Sequence, residues 1–271
     1  MKECDHPRKK WRLIWGDEFD DDGHPDAEKW NYETGFVRNK ELQFYTTLRL
    51  ENARVEGGRL IIEARREEWE GAQFTSASVH TRGKASFLYG RIEVRAKLPH
   101  ARGTWPAIWT LGENFPGVVW PVCGEIDIME NVGHEPGPPA IYGNVHYGEN
   151  EHHQFTTPRD YTTVKSGQEP EHPGIGYKLV PDAATAFHVY AVEWDAASIN
   201  FSVDGCCYLR CAKADSSDGS WPFDKPQYLI LNLAVGGSWG GQMGVDETAF
   251  PQKYEIDYVR VYEQVDNTQL I

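Results

Sequence analysis

The chain has 271 residues and a mass of 30.8 kDa, and its 41 acidic against 27 basic residues leave a formal charge of −14. A composition that is 40% hydrophobic, 13% aromatic and 25% charged describes a packed globular protein and excludes a disordered tail or a fibre. The acidic balance repels nucleic-acid phosphates and anionic lipid headgroups, and no apolar run approaches the ~18–20 residues of a membrane-spanning helix, so neither nucleic acid nor membrane is an expected partner.

Taken in chain order, residues 1–10 read as a flexible N-terminus, charged where a signal peptide would carry its apolar stretch. A short turn follows near residues 26–30, where Pro25 and Asp26 precede Ala-Glu-Lys. Short alternating runs at 59–64, 90–97, 188–194, 199–203 and 254–262, separated by turn signals every ~8–12 residues, predict strands. In the run at 90–97 and Leu98 beyond it, Ile92, Val94, Ala96 and Leu98 share one face, and Arg91, Glu93, Arg95 and Lys97 share the other. Residues 133–182, with seven prolines and little alternation outside 141–147, predict long loops rimming a site. Helical periodicity is nearly absent and no repeat or linker divides the chain, which predicts one all-β sandwich domain over 1–271. Cys4, Cys123, Cys206, Cys207 and Cys211 form no zinc-ligand pattern and read as structural or free thiols.

The segment Trp120-Pro-Val-Cys-Gly-Glu-Ile-Asp-Ile-Met-Glu130 places three carboxylates within six residues of an otherwise apolar strand. In a regular strand Glu125 and Asp127 share a face and Glu130 points the other way. One β-bulge around Ile128 and Met129 restores the parity and gathers all three acids on one face. Acids held that close cannot all ionise at their ordinary pKa, so at least one titrates upward, the condition for acid-assisted glycoside cleavage by a nucleophile and a general acid. Without the flanking tryptophans the three acids would read as a solvated strand face. Trp105, Trp109 and Trp120 beside them supply the rings on which the apolar faces of sugars stack.

These residues carry a family resemblance that runs nearly end to end. Trp15-Gly-Asp-Glu-Phe-Asp20, Asn39-Lys-Glu-Leu-Gln-Phe-Tyr45, Gly90-Arg-Ile-Glu-Val-Arg95, Trp105-Pro-Ala-Ile-Trp109, Gly124-Glu-Ile-Asp-Ile-Met-Glu130, Leu231-Asn-Leu-Ala-Val-Gly-Gly237 and Asp257-Tyr-Val-Arg-Val-Tyr262 together resemble glycoside hydrolase family 16, in its laminarinase-like (endo-β-1,3-glucanase) branch. The resemblance implies a β-jelly roll of two antiparallel sheets with a substrate cleft across the concave one. It implies Glu125 as nucleophile, Glu130 as acid/base and Asp127 as the carboxylate that tunes them. It further implies Trp105, Trp109 and Trp120 as cleft residues, Asn39 and Arg82 as donors to sugar hydroxyls, and His146 as a histidine near the acid/base; the plainer reading of His146 is a loop histidine among His152 and His153. No cofactor is implied for catalysis, while Glu18 and Asp257 match positions that help hold a structural calcium in many relatives.

The implied activity is endo-acting, retaining hydrolysis of a β-1,3-glucan, and a monomer is the default expectation. Mixed-linkage glucan, a galactose-containing glycan and non-catalytic glycan binding are the alternatives. Tyr32-Glu-Thr-Gly-Phe-Val-Arg38 and the long continuation after His146 depart from the usual laminarinase loops and leave the sugar open. Arg38, Arg82, Arg91 and Arg95 would favour an anionic substrate if several of them faced the cleft. A polymer too large to enter a cell implies a secreted, periplasmic or cell-surface protein.

Overall fold

The computed structural model describes residues 9–133, 137–148, 175–213 and 220–265. Among them seventeen strands follow in chain order: β1 (Lys10–Asp17), β2 (Asn31–Tyr32), β3 (Gln43–Tyr45), β4 (Ala53–Val55), β5 (Leu60–Trp69), β6 (Ala72–Ser76), β7 (Ser78–His80), β8 (Gly90–Lys97), β9 (Thr104–Gly112), β10 (Glu125–Glu130), β11 (Ala140–His146), β12 (Ile175–Leu179), β13 (His188–Trp194), β14 (Ser198–Val203), β15 (Cys206–Ala212), β16 (Gln227–Val235) and β17 (Gln252–Val265). The one α-helix among them, α1 (Gly237–Gly240), is a single turn, and no helix there is long and apolar enough to cross a membrane.

The strands form a jelly-roll sandwich. A ten-stranded sheet runs β15-β14-β13-β8-β17-β5-β6-β3, with β1 beside β17 and β4 beside β5, and a seven-stranded sheet runs β12-β11-β10-β9-β16-β7-β2. The expected all-antiparallel pairing holds except between β3 and β6, which run parallel. The β4–β5 hairpin lies between these two strands and gives the chain the crossover that parallel neighbours need.

Period-two alternation builds the sandwich. In β8, Ile92, Val94 and Ala96 are completely buried, while the intervening row is matched in charge, Arg91 to Glu93 and Glu193 and Arg95 to Asp257. Ile92 and Val94 from the larger sheet meet Ile108, Ile126, Ile141 and Leu231 from the smaller one in a single core. The smaller sheet also carries apolar side chains on its other face, where Ala107, Trp109, Leu111, Tyr228 and Ile230 form a second cluster with Cys123.

The expected turn at 26–30 is present: the amides of Lys29 and Trp30 bond back to the Asp26 carbonyl at 3.0 and 2.8 Å. The alternating run set apart at 141–147 is β11, which pairs with β10, and the expected loop around it is corrected at Ile175–Leu179, which pairs with β11 to close the edge of the sheet. Glycine conceals this pairing from the hydrophobic pattern. Gly143 lies opposite Gly176, and a Cβ at either would stand within 2.9 Å of Phe201, Tyr208 or Leu209 side-chain atoms of the other sheet. His152 and His153 lie outside the described residues, as do residues 1–8 with Cys4, and Lys10 already opens β1. The four described cysteines are free thiols, and burial pushes the Cys123 thiol up to about 11.

Candidate active site

Strand β10 carries the three acids, and a bulge sets their direction. Asp127 pairs with Trp109 but Met129 pairs with Ile108, so Ile128 is the extra residue. Ile126, Ile128 and Met129 therefore all enter the core, while Glu125 and Asp127 before the slip and Glu130 after it take the opposite face. Gly124 turns the chain into this strand at φ +82°, a left-handed conformation, and a Cβ there would lie 2.8 Å from Pro222.

Each outer acid is addressed by an indole. Trp120 Nε1 donates to Glu125 Oε2 at 2.9 Å, and Trp105 Nε1 donates to Glu130 Oε1 at 2.9 Å. From β11, His146 Nε2 lies 3.0 Å from Asp127 Oδ2 and 3.7 Å from Glu125 Oε1, and the Asn144 amide nitrogen lies 2.8 Å from the same Nε2. Burial pushes the Glu125 carboxyl up to about 8, helped by repulsion from Asp127 and opposed by His146 and Trp120. Burial also holds Asp127 well above the ordinary carboxylate range, with repulsion from Glu130 adding to it. The two carboxyls repel one another, so they titrate as a pair that keeps a proton at neutral pH. Asp127 is the more enclosed, with a side chain 4% exposed against 15% for Glu125, and burial penalises its charged form more.

The other expected site residues divide. Trp105 and Trp120 line the face beside the acids, and Trp105 packs edge-on to Trp239, which in turn packs against Tyr142, the residue opposite Glu130. Of Trp105, Trp239 and Tyr142, only Trp105 was legible in the sequence, since Tyr142 and Trp239 join it through strand pairing and α1 rather than through the motif itself. Trp109 lies on the correct face but is buried: Nε1 donates to Asn232 Oδ1 at 2.7 Å, and the Arg38 guanidinium covers its ring at 4.7 Å. It therefore presents no open stacking surface. Asn39 is exposed, holds a left-handed φ of 55° and donates to Glu41 Oε1 at 3.2 Å. The Arg82 guanidinium sits 5.9 Å from the rings of Phe115 and Tyr228 on the outer-face cluster.

Arg38, Arg91 and Arg95 each face a carboxylate partner, Arg38 through Glu33. Glu18 and Asp257 likewise do not offer a calcium donor set. Arg260 clamps Glu18 through both oxygens at 2.7 and 2.8 Å, holding its carboxyl below the ordinary range, and Arg95 engages Asp257. The one trio of possible metal-ligating groups among the described residues is Glu125, Asp127 and His146, with ligand atoms within 4.8 Å of one another. Two of its members are already hydrogen-bonded elsewhere, Glu125 to Trp120 and His146 to Asn144.

Residues 30–260 match the family model for glycosyl hydrolases family 16. The chain is 49% identical over 265 residues to a β-glucanase of Rhodothermus marinus, covering 94% of this chain and 86% of that protein. Its fold superposes on the laminarinase structure from Rhodothermus marinus with a TM-score of 0.82 at 47% identity, covering 96% of this chain and 100% of that one. It superposes on the endo-β-1,3-glucanase structure from Pyrococcus furiosus with a TM-score of 0.79 at 39% identity, covering 96% and 97% of the two chains. With the three acids on the bulged strand of a jelly roll, these matches place the chain in glycoside hydrolase family 16.

Proposed function

We propose that the protein is an endo-acting, retaining hydrolase of β-1,3-glucan, with Glu125 as nucleophile, Glu130 as acid/base and Asp127 as the partner that carries a proton beside the nucleophile. The observation that carries this reading is the bulge that turns Glu125, Asp127 and Glu130 onto one face, with one indole donor on each outer acid. In the first step Glu125 attacks the anomeric carbon as Glu130 gives its proton to the departing glycosidic oxygen, which leaves a glycosyl ester on Glu125. Glu130, now a carboxylate, takes a proton from water as that water attacks the ester, and both acids return to their starting states. Attack needs Glu125 as an anion. A proton kept on the more enclosed Asp127 leaves the pair with one negative charge and places that charge on Glu125.

The matched arginines support a neutral polymer, because Arg38, Arg91 and Arg95 are already paired with carboxylates. The similar proteins of Rhodothermus marinus and Pyrococcus furiosus support a β-1,3-glucan in particular. The chemistry draws on no cofactor, and a calcium at Glu18 and Asp257 would have to displace two arginines. Action as a monomer outside the cytoplasm belongs to the same reading, since a polymeric substrate is too large to enter a cell intact.

The reading is tested by digesting laminarin, mixed-linkage glucan, a neutral galactan and a mucin glycan with wild type and Glu125→Gln, reading products by mass. Short β-1,3-gluco-oligosaccharides that disappear in the variant are expected. Products from the galactan or mucin alone would overturn the substrate, and binding without cleavage by wild type would overturn the activity.

A further inference from the structure

Asn144 stands directly opposite Asp127 in the β10–β11 ladder, and no role for it emerged from the acidic motif. The orientation of its amide is fixed by the backbone, since Oδ1 accepts the Val145 N–H at 2.9 Å. Turning the amide round would set an NH2 group against that N–H, two donors in contact. In the fixed orientation Nδ2 points at His146 Nε2 from 2.8 Å, so Nε2 has to accept and cannot carry a hydrogen. The imidazole hydrogen then sits on Nδ1. Nothing among the described residues bonds to Nδ1, so no contact on that side competes with Asn144 in choosing the tautomer.

The consequence falls on Asp127. Its Oδ2 lies 3.0 Å from the same Nε2, and a bare imidazole nitrogen against a bare carboxylate oxygen at that distance is repulsive. A proton on Oδ2 removes the charge from that contact and with it the repulsion, while the Nε2 lone pair accepts from Asn144. The geometry points to Asn144 as a positioning residue: it holds His146 in the Nδ1–H tautomer, so that the bare Nε2, closer to Asp127 than to Glu125, disfavours a charge on Asp127 and leaves Glu125 as the charged member of the pair. This inference rests on Glu125 acting as the nucleophile.

The direct test is the nitrogen spectrum of the full chain labelled with 15N-histidine, with His146 assigned by its loss in His146→Gln. In wild type the His146 Nε2 signal is expected at the position of an unprotonated ring nitrogen and Nδ1 at that of an N–H. Asn144→Asp, nearly the same shape but offering an acceptor in place of a donor, is expected to move the hydrogen to Nε2. Asn144→Leu, which offers neither, is expected to lose the single-tautomer pattern and to lower kcat roughly tenfold with KM little changed, the order of one hydrogen bond in a charged network. A purely structural role for Asn144 would not invert the tautomer in the aspartate variant. Wild-type His146 with its hydrogen on Nε2, or the wild-type pattern persisting in both variants, would overturn the inference while leaving hydrolysis of laminarin intact. A wild type that cleaves no glucan would overturn the functional reading while leaving the spectrum as measured. If the leucine variant does not fold, the wild-type and aspartate spectra decide the matter alone.

Discussion

Trp120 Nε1 donates to Glu125 Oε2 at 2.9 Å, which makes an indole on the loop before β10 a direct partner of the proposed nucleophile. The N–H stabilises the anion of Glu125 and opposes the effect of burial on its pKa. Trp120→Phe keeps a ring and removes the donor. Its kcat/KM on laminarin is expected to fall about tenfold, the size of one hydrogen bond to a charged group, with the thermal midpoint unchanged. Steady-state kinetics beside a melting curve check both halves.

Burial of Glu125 is a cost that the fold carries, and it has a pH signature. A carboxyl raised to about 8 in the folded chain binds its proton more tightly than it does in the unfolded chain. Its contribution to stability is complete below the unfolded value of ~4.3 and is lost as pH rises through the folded value. Glu125→Gln cannot titrate. The variant is expected to melt near wild type at pH 4.5 and on the order of 5 °C above it at pH 8, where the wild-type pair loses its retained proton and must bury a second charge. Parallel melting curves across pH would contradict the shift.

Trp109 acts through packing rather than by stacking on sugar. It is buried, donates to Asn232, and is covered by Arg38. Trp109→Ala is expected to cost about 3–5 kcal/mol of stability, read by denaturant unfolding. Unchanged stability with a raised KM would show instead that the ring is a sugar platform.

Trp239 and Tyr142 extend the aromatic wall that starts at Trp105, beside Glu130. Trp239→Ala is expected to raise KM for laminarin roughly tenfold while kcat changes little, as for a group that binds ground state and transition state alike. A loss confined to kcat would move Trp239 from binding to the chemical step.

Much of this site was legible in the sequence because its information is local. Alternation in β8 fixes a buried and a solvated face, and the spacing Glu125, Asp127, Glu130 demands one extra residue, which the ladder supplies at Ile128. What was illegible depends on partners distant in the chain. The Gly143–Gly176 pairing lacks the branched side chains that announce strands, so β12 is invisible to pattern. Trp109 carries the same signature as Trp105, and only the arrival of Arg38 over its ring decides that it is covered. Asn144 gains its part from an amide orientation fixed by the next residue's N–H.

The central claim is that Glu125 becomes covalently joined to the sugar. It is tested most directly by incubating wild type with an activated 2-deoxy-2-fluoro β-1,3-glucobioside, which slows release of the intermediate, and mapping the labelled peptide by mass spectrometry. One fluoroglycosyl group per chain, on Glu125 and lost slowly as activity returns, is the result predicted here. Attachment to Glu130 or Asp127, or turnover without any adduct and with an inverted anomeric product, would contradict the account.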